Sequence, residues 1–140
     1  MTMTAEAESQ DVFRGILESL SDQKIVVAVA GTDYRLHLRP AVPASQINTA
    51  IGKRIKGTVH AKALRLFKAA GGGRFIEPII GEPRIVAGAV LAIDESKRRL
   101  LVDVGIPMWM ALADGQSTQD FSIGDLVNCY VESGATFRPL

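Results

Sequence analysis

The chain carries the sequence GILESLSDQKIVVAVAG at residues 15–31 and a related sequence, GAVLAIDESKRRLLVDVG, at residues 88–105. In each of them an apolar segment is followed by short polar residues and then by a second apolar segment. This order is typical of two strands joined by a hairpin loop. The second hairpin contains two extra residues, Arg98 and Arg99, before its second apolar segment. The sequence therefore predicts the same two-stranded unit twice.

A further block repeats at almost the same spacing, which favours an internal duplication. Gly15 is separated from Gly88 by nearly the same length of chain as Gly52 from Gly124, and each of the latter two is preceded by isoleucine. Repetition at a nearly constant separation is typical of a duplicated structural unit. The alternative is that two unrelated β meanders look alike. Duplication predicts that the two halves of the chain superpose.

Each repeated unit has the order strand, hairpin, strand, strand, variable loop, glycine turn and strand. Five short strands with a glycine at a bend suit a small closed barrel, because glycine tolerates the tight coil at a corner. We therefore expect an all-β protein of two tandem small barrels, OB- or SH3-like, with at most one short helix. The predicted boundaries are a disordered tail at residues 1–10, a first barrel at 11–70, a connecting segment at 71–83 and a second barrel at 84–140.

Residues 61–70, AKALRLFKAA, fit two kinds of secondary structure. Strong helix formers followed by Gly71, a residue type that commonly ends helices, predict a short helix. The apolar positions change from odd to even near Ala63 and Leu64, which instead suits one long strand with a β-bulge. The sequence alone leaves both interpretations open.

Basic residues are concentrated in the first half of the chain. Residues 1–70 carry a net charge of +4 and residues 71–140 a net charge of −3. Between Tyr34 and Phe75 there are nine Lys and Arg residues and both histidines, but no Asp or Glu. Halves of opposite charge either attract each other or face different partners.

If residues 53–62 form a strand, alternate side chains from residue 54 to residue 62, including Thr58, would form one largely cationic face. Ile55, Val59 and Ala61 would then enter the core. Such a face suits binding to nucleic-acid phosphates or to a small anion, although few aromatic residues lie nearby for base stacking. The alternative is a solvated or subunit-facing strand. The candidate anion-binding residues are Arg35, Lys53, Arg54, Lys56, His60 and Lys62.

No motif for catalysis, metal binding or nucleotide binding is present. The glycine triplet at residues 71–73 lacks the Lys-Ser/Thr ending of a phosphate-binding loop. Cys129 is the only cysteine, which excludes an intrachain disulfide and a zinc cluster. Trp109, between two methionines, is expected to fill the core rather than to stack on a ligand. We therefore expect a non-enzymatic protein with no metal and no cofactor.

The amino end and the apolar runs predict neither export nor membrane insertion. Residues 1–10 are polar and acidic and lack the basic and apolar regions of a secretory signal. The longest apolar runs, residues 25–31 and 85–93, are far shorter than the roughly 20 residues of a transmembrane helix. The single thiol suits a reducing compartment. A cytoplasmic protein that does not bind membranes is expected.

The two glycine-turn blocks resemble the second half of the Mop or TOBE-type repeat. PASQINTAIGKRI, which begins at residue 43 and leads into VHA at residues 59–61, carries the first resemblance, and FSIGDLV at residues 121–127 carries the second. That repeat is a small OB-like domain, found in tandem in molybdate-binding proteins and at the ends of transport ATPases. The resemblance implies tandem OB-like barrels and an oxyanion ligand. Where the repeat carries a lysine, this chain has His60 in one unit and Glu132 in the other, and a glutamate would repel molybdate.

These observations predict a binding or assembly module built of two β-barrel units. One alternative function is nucleic-acid binding through the basic face of the first unit. Another is binding of an oxyanion or other small ligand. The expected partners are accordingly a second copy or another protein, a nucleic acid or a small anion.

Overall fold

The computed structural model describes residues 10–140, and nearly all their regular structure is β-strand. The predicted all-β class is confirmed. The predicted tail at residues 1–10 lies outside the described residues except for Gln10. Two short 3₁₀ turns, Ala44–Gln46 and Thr118–Asp120, are the only helical elements of the described part. The strands are β1 (Phe13–Leu20), β2 (Ile25–Ala28), β3 (Arg35–Pro40), β4 (Arg54–Lys68), β5 (Phe75–Glu77), β6 (Ile80–Gly81), β7 (Ile85–Asp94), β8 (Arg99–Asp103), β9 (Pro107–Ala111), β10 (Leu126–Val131) and β11 (Thr136–Pro139).

The helix predicted for residues 61–70 is wrong, because residues up to Lys68 belong to the long strand β4. The alternative, a strand with a bulge, is confirmed. Val131 pairs with Ala63 and Tyr130 pairs with Arg65, which leaves Leu64 as the extra residue. Intrinsic helix propensity is a weak preference that tertiary context overrides. Here β4 pairs along its length with other strands, and its backbone groups find their hydrogen-bond partners there.

The strand pairings contain two closed circuits that share β4. The first runs β1–β2–β3–β11–β4 and returns to β1, and the second runs β7–β8–β9–β4–β10 and returns to β7. The first part of β4 pairs with β1 and β11, and its later part pairs with β9 and β10. The last strand of the second half, β11, therefore completes the first circuit. The later part of β4, the last strand of the first half, completes the second circuit.

Equivalent backbone bonds occur in both circuits at the spacing found in the sequence. The N–H of Gly52 donates to the carbonyl of Leu17 over 2.7 Å, and the N–H of Gly124 donates to the carbonyl of Val90 over 2.8 Å. Both glycines have left-handed φ angles, 87° and 93°, that residues with a side chain rarely adopt. β1 and β7 also each contain a bulge, immediately after Leu17 and Val90. The repeated glycines thus make the same turn twice.

The buried side chains of both circuits form one contiguous core. Phe137 of β11 is fully buried and packs edge-to-face on Phe13 of β1, with ring centroids 6.4 Å apart. Within residues 10–140 there is no helix of the length and apolar character that crossing a bilayer requires. The core leaves the outward-facing side chains of β4 available for function.

Candidate anion-binding site

β4 presents its side chains largely as its alternation predicts. Ile55, Val59 and Ala61 are buried, and the cations on the other face are exposed. Thr58 lies on the same face of β4 as His60, as the alternation predicts, but its side chain is buried there rather than exposed. Its hydroxyl lies 2.8 Å from His60 Nε2, with which it shares a hydrogen bond. His60 is consequently held at the edge of the core.

The six predicted binding residues do not all line one cleft. Arg54 and Lys56 line one cleft, while His60 and Lys62 line another. Lys53 is exposed and lines neither cleft. Arg35 begins β3, and its guanidinium Nε lies 2.9 Å from Glu18 Oε2. The residues that the sequence groups together therefore occupy four places.

The first cleft, here called the β1–β4 cleft, has a volume of about 480 Å³ and collects three cations. Arg14 of β1 joins Arg54 and Lys56 of β4, and all three side chains are exposed. Sequence reasoning missed Arg14, which alternates with the buried Phe13 but lies far from β4 along the chain. The remaining lining residues are Gln46, Ile47, Asn48, Thr49, Ile55, Pro139 and Leu140.

The register of β1 against β4 brings like charges together. Arg14 pairs directly with Lys56, and Ile16 pairs with Arg54, so Arg54 lies diagonal to Arg14. Like charges directly opposite each other on a sheet are destabilising. No carboxylate among residues 10–140 forms an ion pair with any of the three cations. The folded chain therefore carries a repulsion at this point that an anion would relieve.

Uncharged hydrogen-bonding groups surround these cations. Gln46 ends the first 3₁₀ turn and Asn48 and Thr49 follow it, and their side chains make no hydrogen bond to another described residue. Asp22 of the β1–β2 hairpin holds the turn by accepting from the N–H of Ala44 over 2.9 Å. Amide and hydroxyl groups are suited to the oxygens of an oxyanion. The cleft thus combines positive charge with neutral donors.

The corresponding position in the second circuit is uncharged. Arg14 opposite Lys56 in the β1–β4 pair corresponds to Ala87 opposite Asn128 in the β7–β10 pair. Arg54, two positions along, corresponds to Leu126. The cations are therefore not demanded by the backbone arrangement, since the same arrangement exists without them.

The second cleft, here called the junction cleft, has a volume of about 450 Å³ and lies where β4 passes from the first circuit to the second. His60 pairs there with Thr136 of β11 and with Trp109 of β9. Burial, followed by the nearby charge of Arg99, lowers the pKa of His60 below its ordinary value of 6.5. His60 is consequently a neutral ring at pH 7 rather than a cation.

Trp109 lines the junction cleft and is only partly buried, so its predicted place in the core is wrong. Met108 and Met110 are fully buried instead. Neighbouring residues of a strand point to opposite faces, so two core methionines require an outward tryptophan between them. The alternation of residues 108–110 could have revealed this.

The chain has no detectable relative among the proteins compared with it. No protein-family model, no curated protein and no solved structure matches it. Within the described part of the chain, no three His, Cys, Asp or Glu side chains are grouped as a metal ion requires. The function must be inferred from the clefts themselves.

Proposed function

We propose that this chain is a non-enzymatic binding module of two duplicated β-barrels, and that its β1–β4 cleft binds a small oxyanion or phosphate-bearing ligand. The observation that carries the proposal is Arg14 directly opposite Lys56, without a carboxylate partner among residues 10–140. A cross-strand cation pair in a cleft is costly unless a ligand supplies the opposite charge.

Two features support the barrels and the duplication. Each circuit returns to its first strand, as the strands of a barrel do. The turn bonds at Gly52 and Gly124 and the bulges in β1 and β7 recur at the spacing of the sequence repeat. Exchange of the last strand between the two units explains why one strand, β4, belongs to both.

Phosphate is the direct probe of the β1–β4 cleft. Hydrogen bonds to charged groups contribute about 1.5 kcal/mol or more, so loss of one cation should weaken phosphate binding about tenfold. We expect millimolar inorganic phosphate, and molybdate in a parallel titration, to raise the melting temperature of the wild type. Arg14→Gln and Lys56→Gln should reduce that rise, whereas Lys53→Gln, which removes an exposed cation outside both clefts, should not.

Without an anion, loss of one of these cations should stabilise the protein rather than weaken it. Because Lys56→Gln removes a like-charge contact, it should stabilise the ligand-free protein by roughly 0.5 kcal/mol. A variant that simply lost structure would instead lower both the stability of the ligand-free protein and the rise in melting temperature with phosphate. The proposal fails if phosphate and molybdate give no rise in melting temperature, or if the rise persists unchanged in Arg14→Gln and Lys56→Gln.

An extended nucleic acid fits this surface less well than a small anion does. Besides Arg35, two cations of the basic segment have acidic partners: Lys68 with Asp125 at 3.6 Å and Arg74 with Asp103 at 2.6 Å. A strand of nucleic acid needs a continuous basic groove with exposed aromatic residues. A steep salt dependence of single-stranded oligonucleotide binding would favour that alternative function.

Self-association is a second candidate function, favoured by one exposed apolar groove. Leu64, Ile79 and Tyr130, each more than half exposed, line a groove of about 780 Å³ with Glu77 and Arg84 in its lining. In a twofold dimer, Glu77 of one copy can face Arg84 of the other. We expect light scattering to detect a dimer that Leu64→Glu dissociates. A monomer at all concentrations would rule out this candidate.

A further inference from the structure

The junction cleft contains a guanidinium group that is held in position while its terminal nitrogens remain available. Arg99 Nε donates to Asp94 Oδ2 over 2.9 Å, and the guanidinium carbon lies 3.8 Å from the centroid of the Trp109 ring. Trp109 is itself fixed, since its indole N–H donates to Asp11 over 2.9 Å. Neither terminal nitrogen of Arg99 hydrogen-bonds to any of residues 10–140.

Two more cations enter the same cleft, one from β3 and one from β4. Arg39 at the end of β3 and Lys62 of β4 are exposed, line the cleft and have no ion pair within the described residues. Glu132 is the one carboxylate in the lining, and its side chain is exposed. The lining therefore holds three cations and one carboxylate, while two further carboxylates, Asp94 and Asp11, lie just outside it and bind Arg99 and Trp109.

The rest of the lining combines apolar and polar groups, since His60, Ser133 and Thr136 also belong to it. Trp109 and Ala111 contribute carbon surface beside the cations. A volume of about 450 Å³ is within the range of pockets that hold small molecules, roughly 300–1,000 Å³. A planar guanidinium matches the two oxygens of a carboxylate. An inorganic anion would leave the apolar surface unused.

We propose that the junction cleft is a second ligand site, which binds a small organic carboxylate with a flat apolar body. The carboxylate accepts hydrogen bonds from the terminal nitrogens of Arg99 and from Lys62 or Arg39. The apolar body covers Ala111 and the exposed part of Trp109. This site is separate from the β1–β4 cleft and does not depend on the function proposed there.

Trp109 provides the measurement, since it is the only tryptophan of the chain and lies in this cleft. Benzoate is the probe, and benzamide, which has the same shape without the charge, is the control ligand. We expect benzoate at millimolar concentrations to change the Trp109 fluorescence in a saturable way. Benzamide should bind about tenfold more weakly or worse, because it lacks the negative charge that pairs with the cations of the cleft.

Exposed variants test the site without disturbing the core. Lys62→Gln and Arg39→Gln should each weaken benzoate binding, by about tenfold where the hydrogen bond is direct. Glu132→Gln should strengthen it, because one negative charge leaves the cleft. Lys56→Gln, in the β1–β4 cleft, should leave it unchanged.

Three results would overturn the inference: no saturable fluorescence change with benzoate, equal responses to benzoate and benzamide, or unchanged affinity in both Lys62→Gln and Arg39→Gln. These results are distinguishable from failure at the β1–β4 cleft. That cleft is tested by phosphate and by the melting temperature of Arg14→Gln and Lys56→Gln, whereas this one is tested by Trp109 fluorescence.

Discussion

Cys129 is buried in β10, and its burial raises the pKa of the thiol to about 12. Because the thiolate is the reactive form, a thiol held neutral in the core reacts slowly. We expect a disulfide reagent such as DTNB to modify Cys129 far more slowly in the native protein than in the protein unfolded by urea. Equal rates in the two states at mildly alkaline pH would contradict the burial of this side chain.

His60 makes the stability of the fold depend on pH. Burial and the charge of Arg99 lower its pKa in the folded state, so below pH 6.5 the unfolded chain takes up the proton more readily. Stability is therefore retained above pH 6.5 and is lost as the pH falls below it. We expect His60→Gln to lose less stability than the wild type between neutral pH and about pH 5, measured by urea unfolding.

The reason for this sign is that the folded protein binds a proton at His60 less tightly than the unfolded chain does. A side chain that cannot take up a proton removes the difference in proton uptake between the folded and the unfolded protein. This holds whatever the substitution does to stability at pH 7. An identical pH dependence in wild type and His60→Gln would show that other groups cause the loss.

At the scale of the strands, glycine recurs at residues 15 and 88 because a neighbouring strand comes very close at both positions. A side-chain carbon at Gly88 would overlap the backbone oxygen of Asp103, and one at Gly15 would lie only 2.6 Å from the backbone oxygen of Ala28. Backbone atoms cannot rotate away as a side chain can. β1 and β7 therefore need glycine where the ends of β2 and β8 come close.

We expect Gly88→Ala to destabilise the protein by about 2 kcal/mol or more, because β7 and β8 must separate to admit the methyl group. Gly73→Ala is the matched control, since nothing lies within 4 Å of a side-chain carbon there and its φ angle is not left-handed. Chemical denaturation measures both variants. Equal stabilities of the two would contradict the close approach of β7 and β8.

The long strand β4 shows how far local sequence predicts an element. The odd-to-even change near Ala63 and Leu64 indicated the bulge, and the structure places it at Leu64. The composition of residues 61–70 equally suited a helix, since Ala, Leu and Lys are strong helix formers. The choice was made by pairing, because this part of β4 lies between β9 and β10 and supplies hydrogen bonds to both.

For the whole molecule, two strands connect the two circuits: β4, which pairs in both, and β11, which comes from the end of the chain. β11 pairs with β3 and β4 in the first circuit. Phe137 carries this connection, since it is fully buried against Phe13. We infer that the two circuits unfold together.

Phe137→Ala should therefore lower the stability of the whole protein by about 4 kcal/mol. Although Phe137 lies in the first circuit, the loss should appear equally in Trp109 fluorescence, which reports on the second, and in circular dichroism. Ile123→Ala, at a side chain that is 68% exposed, should change stability by less than about 0.5 kcal/mol. If Phe137→Ala did not shift the unfolding transition measured by Trp109 fluorescence, the two circuits would unfold separately.

The sequence by itself determined that the chain is all-β, which residues of β4 face the core, and where the repeated glycine turns lie. These properties depend on alternation and on single residue types, which are local. The tertiary structure decided which cations meet. Arg14 and Lys56 are distant along the chain and become neighbours only through the register of β1 on β4. Arg99 and Lys62 share a cleft only because β4 continues into the second circuit. Pairing and register follow from how the whole core packs, and no short segment contains that information.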